Sequence, residues 1–261
     1  MPLPQDVAQL LDTLLARLQH ELGDELLGLY LRGSLALGDF IPATSDVDVL
    51  AVLEHAVSPA LFARLADLHA ALAGSANPYA TRMEMVYVDR EAARHFAPGQ
   101  RHPTLGQGGS LHWEEHRANW IFERWTVREH GVILCGPDPR TLIDPIGKAE
   151  LRAAAWGRLR DWAAWAAAPE DPEFLLPRAH QTYIIETICR ALATVASGEL
   201  WSKPRSVAWA LARLPEPWRT TVRDSQAGRT DRTEDPARVD AVLRLVQWAA
   251  GDGATAIQQA P

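Results

Sequence analysis

Cysteine is scarce: Cys135 and Cys189 are the only two in 261 residues. They stand far apart with no CxxC or Cys/His ligand spacing, which argues against a disulfide framework or a zinc site and predicts two reduced, buried thiols. A basic excess is also missing. Against 26 Lys and Arg stand 33 Asp and Glu, a formal net charge of -7, so no general field draws the chain onto nucleic acid or anionic lipid. No basic groove interleaved with aromatics marks a polynucleotide channel. No run of about eighteen apolar residues occurs, and the N-terminal MPLPQDVAQLLDTLLARLQHEL lacks a basic region followed by an apolar one. The expectation is a soluble, cytoplasmic protein without nucleic-acid or membrane partners, and a monomer. The 18 prolines and 10 tryptophans follow no fixed period, which excludes a repeat architecture.

What remains is ordinary globular composition, 47% hydrophobic and 23% charged, at a length suited to two domains. From Asp6 to Leu22, apolar residues recur at helical spacing until Gly23. Leu26 to Leu31 and Val47 to Leu53 are apolar runs that predict buried strands, with a turn-rich connector between them. A helix is predicted over Pro59 to Leu72 and a third strand over Met83 to Val88, ending in Asp89-Arg90. A loop from Pro98 to Gly109 precedes a predicted helix over Leu111 to His130, Gly131, and the short run Val132 to Cys135. GPDPRTLIDPIG reads as a linker. Beyond residue 146 the spacing predicts helices over Lys148 to Ala167, Pro177 to Ala196, Arg205 to Leu214, Pro217 to Asp224 and Ala237 to Ala249. The expected fold class is α+β: a mixed sheet with helices over 1–145, then an all-α bundle over 146–261.

The chemistry concentrates in LYLRGSLALGDFIPATSDVDVLAVLE, residues 29–54. A strand runs into Gly33-Ser34, where a missing Cβ lets backbone approach a ligand and N–H groups can meet phosphate oxygens. Asp46 and Asp48 lie two apart at the start of the next strand, so both side chains point the same way. Two like charges this close are unfavourable without a cation, and hard oxygen ligands suit magnesium bridging to triphosphate oxygens. Each half alone is a common motif: a Gly-Ser after a strand is often only a turn, and Asp-x-Asp on an exposed strand start is often solvated. The ordered combination is far more specific.

Gly-Ser followed by Asp-x-Asp resembles the signature of the DNA polymerase beta-like nucleotidyltransferase superfamily, in which the two aspartates hold a catalytic divalent metal and a third carboxylate on a neighbouring strand completes the site. That resemblance makes Glu84, in TRMEMVYV, the candidate third carboxylate and the general base that takes a proton from the acceptor hydroxyl. GVILCGPDPRTLIDPI and ATVASGELWSKPRSVAWALARLP further resemble the aminoglycoside adenylyltransferases that modify streptomycin and spectinomycin, a likeness covering nearly the whole chain. It implies an N-terminal polymerase-beta-like domain, a helical second domain that closes over nucleotide and substrate, and a site in the cleft between them.

The same resemblance assigns Arg190 and Lys203 to the nucleotide and Trp113 to the antibiotic pocket. Glu114 and Glu115 beside Trp113 could meet ammonium groups. The alternative for Trp113 is core, since Trp113 and Trp120 lie seven apart on one face of the predicted helix. Two departures bear on substrate: His180 stands where streptomycin-modifying relatives carry an acidic residue, and a tyrosine near the nucleotide is missing around Ala227-Gly228. A histidine pairs poorly with the guanidinium groups of streptomycin, and spectinomycin makes fewer demands of that kind. The expected activity is transfer of AMP from ATP, with Mg2+, to an aminoglycoside hydroxyl. The alternatives are a nucleotidyltransferase for another acceptor, such as a protein side chain or a small metabolite, and a non-catalytic nucleotide-binding module.

Overall fold

The computed structural model describes residues 3–106, 108, 110–169 and 171–259. Two compact units divide the chain, Met1–Pro145 and Ile146–Pro261. The first holds a six-stranded mixed sheet with helices and the second is helical, an α+β architecture. Among the described residues, no helix is long and apolar enough to cross a membrane.

In the first unit the order is α1 (Gln5–Leu22), β1 (Leu26–Leu31), α2 (Gly33–Leu37), β2 (Val47–Leu53), α3 (Pro59–Ala73), β3 (Met83–Asp89), α4 (Arg90–Arg94), β4 (Arg101–Leu105), β5 (Leu111–Glu115), α5 (Trp120–His130) and β6 (Val132–Cys135). The strands lie in the order β5-β4-β3-β2-β1-β6. Among the described residues only the β2–β3 pair is parallel, and α3 makes its crossover. Ser58 starts α3 by accepting a hydrogen bond from Leu61 N, with Pro59 in the first turn.

Alternation along the strands decides which face becomes core. Leu29 and Leu31 of β1, Val49, Ala51 and Leu53 of β2, and Met83, Met85 and Tyr87 of β3 are all buried in one cluster with Leu10, Leu14 and Leu18 of α1 and Leu65 and Leu72 of α3. Each such leucine contributes roughly 1.5–3 kcal/mol by leaving water. The alternate residues, Tyr30, Asp48, Leu50, Glu84 and Val86, therefore face the opposite side. The carboxylates are thus set on the face away from α1 and α3.

The segment Leu111 to His130 is not one helix. Leu111–Glu115 forms β5, paired to β4 through Arg101–Glu115, Pro103–Trp113 and Leu105–Leu111, and only Trp120–His130 is helical. Strand pairing overrode the local helical pattern here, so Trp113 and Trp120 do not share a helix face. The expected loop from Pro98 hides β4, whose RHPTL carries a proline that weakens the strand signature. Gln107 and Gly109 lie outside the described residues. Cys135 is half-buried in β6 and Cys189 buried, both as free thiols.

The second unit contains α6 (Lys148–Ala167), α7 (Arg178–Ser197), α8 (Lys203–Arg213), α9 (Trp218–Ser225), α10 (Pro236–Trp248) and α11 (Ala254–Gln259). Helix α7 is buried nearly all round, from Gln181 to Val195, as the central helix against α6, α8 and α10. Its buried Glu186 is met by Arg229, whose Nε donates at 2.8 Å. Trp156, Trp162 and Trp165 of α6 are half-buried.

Candidate active site

Three segments of the first unit meet at the end of β1. Because β1 runs antiparallel to β2, the residues that follow β1 lie beside the start of β2, and Arg32 N donates to Asp48 O at 3.0 Å. Because β2 runs parallel to β3, Asp48 stands directly across from Glu84. Gly33 turns the chain with φ +60°, and a Cβ there would collide with the Asp48 carboxylate, lying 2.7 Å from its Cγ. Only glycine supplies both the left-handed backbone and the space. Ser34, next along, has a buried Oγ with no hydrogen-bond partner among the described residues.

Asp46 sits just ahead of β2 on a tied approach. Ile41 O accepts from Thr44 N and Ser45 N, while Ser45 Oγ accepts from Ile41 N at 2.9 Å. From the turn before β3, Arg82 donates to Pro42 O at 2.9 Å and to Ser45 O, and its Nε lies 3.8 Å from Asp46 Oδ1. The turn that delivers Asp46 is thereby anchored to the strand that carries Glu84.

Burial pushes the Glu84 carboxyl up to about 7, the charge of Asp48 adds to the rise, Arg32 opposes it, and Asp46 and Glu123 add further. Those influences put Glu84, Asp48, Asp46 and Glu123 in one electrostatic neighbourhood. The carboxyl is thus poised to exchange a proton near neutral pH.

Sequence reasoning did not single out Arg32 or Glu123. Arg32 is buried, with Nη1 2.8 Å from Glu123 Oε2 on α5 and 3.3 Å from Asp48 Oδ1, and its guanidinium lies 5.3 Å from the Trp120 ring centre. Burial alone disfavours that cation, but Glu123, Asp48 and Glu84 outweigh it and hold Arg32 charged. Trp120 stacks in turn on His116 at 3.7 Å, and burial, with His102 and two arginines nearby, lowers His116 to about 3, so its ring is neutral. A signal was available in LLGLYLR: a cation that ends an apolar strand run needs partners if it is buried.

The other candidate residues stand elsewhere. Trp113 and Glu114 are on β5, two strands from β3. Trp113 is stacked on Phe62 of α3 at 5.5 Å, and Glu114 is exposed with His112 Nε2 at 3.6 Å. In the helical unit, His180 opens α7, its ring stacked on Phe174 at 4.4 Å with Nδ1 3.0 Å from Phe174 O. Tyr183 and Arg190, seven apart, share a face of α7. Lys203 at the start of α8 lies 4.2 Å from the Tyr183 ring centre, forming an aromatic and cationic patch. Among the described residues, no group of three or more His, Cys, Asp or Glu side chains could hold a metal ion.

Comparison with known proteins adds to this geometry. The family model described as aminoglycoside adenylyltransferase, C-terminal domain, matches residues 141–250. A spectinomycin 9-adenylyltransferase of Staphylococcus aureus is 23% identical over 223 residues, covering 82% of this chain and 81% of the relative. An aminoglycoside (3'') (9) adenylyltransferase of Escherichia coli is 23% identical over 271 residues, covering 95% of each. The crystal structure of a spectinomycin adenyltransferase from Enterococcus faecialis with ATP and spectinomycin matches the fold with a TM-score of 0.72 at 16% identity, over 93% of this chain and 98% of that one.

Proposed function

We propose that this chain, which is similar to aminoglycoside adenylyltransferases over most of its length, transfers AMP from ATP to a hydroxyl of an aminoglycoside-type antibiotic, spectinomycin or streptomycin, with release of pyrophosphate. The observation that carries this reading is the pairing of Asp48 with Glu84 across two parallel strands, beside the Gly33-Ser34 turn and on the face turned away from the apolar core.

The residues fit a magnesium ion by donor chemistry. Asp46 and Asp48 offer only carboxylate oxygens, and Asp48 and Asp46 both act on Glu84. Magnesium keeps most of its shell for water and substrate phosphates, so two protein carboxylates suffice and a cage of three is not required. Asp46 and Asp48 would hold it. When bound, it would neutralise triphosphate charge and ease the departure of pyrophosphate.

The chain's own groups divide the remaining work. The Gly33 backbone and the unpartnered Ser34 hydroxyl meet phosphate oxygens. Glu84 takes the proton of the acceptor hydroxyl onto a carboxylate oxygen, and the acceptor oxygen attacks the α-phosphate as the bond to pyrophosphate breaks. Arg190 and Lys203 are assigned to the nucleotide by resemblance alone, as cations that would offset phosphate charge. By the same resemblance Glu114 offers a carboxylate to a cationic sugar and His180 a contact without the negative charge that streptomycin's guanidinium groups favour, while Trp113, stacked on Phe62 of α3, is on the sheet face opposite the carboxylates and does not join this site.

The test is pyrophosphate release by purified protein with ATP and magnesium, screened against spectinomycin, streptomycin and other aminoglycosides, with Glu84→Ala alongside. Release that requires one of these drugs and Glu84 is the expected result. Magnesium-dependent ATP binding without release toward any of them would move the search to another acceptor. Full release by Glu84→Ala would overturn the assignment of the base.

A further inference from the structure

Both oxygens of Asp48 have close neighbours. Oδ2 is packed against the Cβ-less face of Gly33, and Oδ1 is 3.3 Å from Arg32 Nη1. That same nitrogen is 2.8 Å from Glu123 Oε2, so two carboxylates share one guanidinium atom. Arg32 has little freedom to leave: it is 7% exposed, it ends a buried strand, and its guanidinium lies near the Trp120 ring. Four carboxylates, Asp46, Asp48, Glu84 and Glu123, are gathered about this corner, and burying so much like charge is costly without a cation.

We propose that Arg32 is a positioning residue for the divalent ion, an internal cation shared between Asp48 and Glu123. It aims Asp48 before the ion arrives and sets how tightly the ion is held, with Glu123 as the counter-anion that draws its charge away. This rests on the reading above, in which Asp46 and Asp48 hold magnesium. Removing the Glu123 charge leaves Arg32 pairing with Asp48 alone, and that pair competes with the incoming ion. Removing the Arg32 charge leaves Asp48 open to the ion, at the expense of the metal-free fold. The two substitutions therefore move affinity in opposite directions, which loss of packing by itself does not do.

The experiment titrates Mn2+ into the full chain, with and without α,β-methylene-ATP, and follows the loss of the free-ion EPR signal. Glu123→Gln is expected to raise the Mn2+ Kd and Arg32→Met to lower it, each by about tenfold or more, since one unit charge a few ångströms away at an effective dielectric near 20 exceeds the energy of a tenfold change. Asp48→Asn serves as the control that loses the site. If Arg32→Met does not fold, Glu123→Gln decides alone, and an unchanged Kd refutes the proposal. Binding by the unmodified chain with a Kd that neither variant moves, or that both move the same way, overturns this inference and leaves the metal reading standing. No Mn2+ binding by the unmodified chain, with or without the nucleotide, removes both.

Discussion

Replacing Glu84 with Gln should stabilise the first unit, and only above a definite pH. Glu84 rises from 4.5 to about 7 in the folded chain, chiefly through burial and the neighbouring Asp48. That difference of 7 less 4.5, at about 1.4 kcal/mol per pH unit, makes ionising it in the fold costlier by at most about 3.5 kcal/mol. The sign follows from proton binding. Below about pH 4.5 the group is protonated whether the chain is folded or not, and it contributes nothing. Between 4.5 and 7 the folded state keeps a proton that the unfolded chain has released, so stability falls as pH rises. Above 7 the full penalty is present. Gln is neutral throughout, so Glu84→Gln should match the unmodified protein near pH 4 and exceed it by about 2–3 kcal/mol at pH 8. Hydrogen exchange in a urea series, read on peptides from β2 and β3, isolates this unit from the helical one. Equal stabilisation at both pH values, or none at pH 8, would refute the idea that burial and Asp48 burden this carboxyl.

Gly33→Ala should cost more than about 2 kcal/mol and abolish transfer, because the side chain meets both an unfavourable φ and the Asp48 carboxylate. Thermal unfolding and a pyrophosphate assay check it, and an active, stable variant would show that the turn relaxes. Ser34→Ala should leave stability within about 0.5 kcal/mol, since its hydroxyl has no partner among the described residues, while raising KM for ATP several-fold. Arg229→Met strands the buried Glu186 and should destabilise the helical unit by about 3–5 kcal/mol, read by chemical denaturation, with recovery in the double variant that also carries Glu186→Gln.

Much of this arrangement was legible before any coordinates. The runs Leu26 to Leu31 and Val47 to Leu53 are strands to the residue, because buried β-branched and leucine stretches admit few alternatives. Asp46, Asp48 and the Gly33-Ser34 turn are brought together as their order implied. Glu84 lies opposite Asp48 in register, a relation that resemblance suggested and periodicity alone could not supply. The β4–β5 hairpin escaped because its strands are short, carry Pro103, and depend on a partner that sequence periodicity does not show. Arg32 escaped for a related reason. Its importance lies in Glu123, 91 positions away, and no local pattern announces a partner that distant.

The division of β2 and β3 into two faces carries a consequence for how such a protein can change over time. Neighbouring positions in each strand serve opposite sides, one set in the apolar layer and the other at the carboxylates. Inserting or deleting a single residue within either strand would exchange the two sets, driving Asp48 or Glu84 into hydrocarbon and turning leucine and methionine toward solvent. Drift in these strands is therefore confined to substitution. Changes of length, and with them new acceptor preferences, must enter through the connectors, such as the stretch from Gly38 to Ser45 or the segment joining β4 to β5.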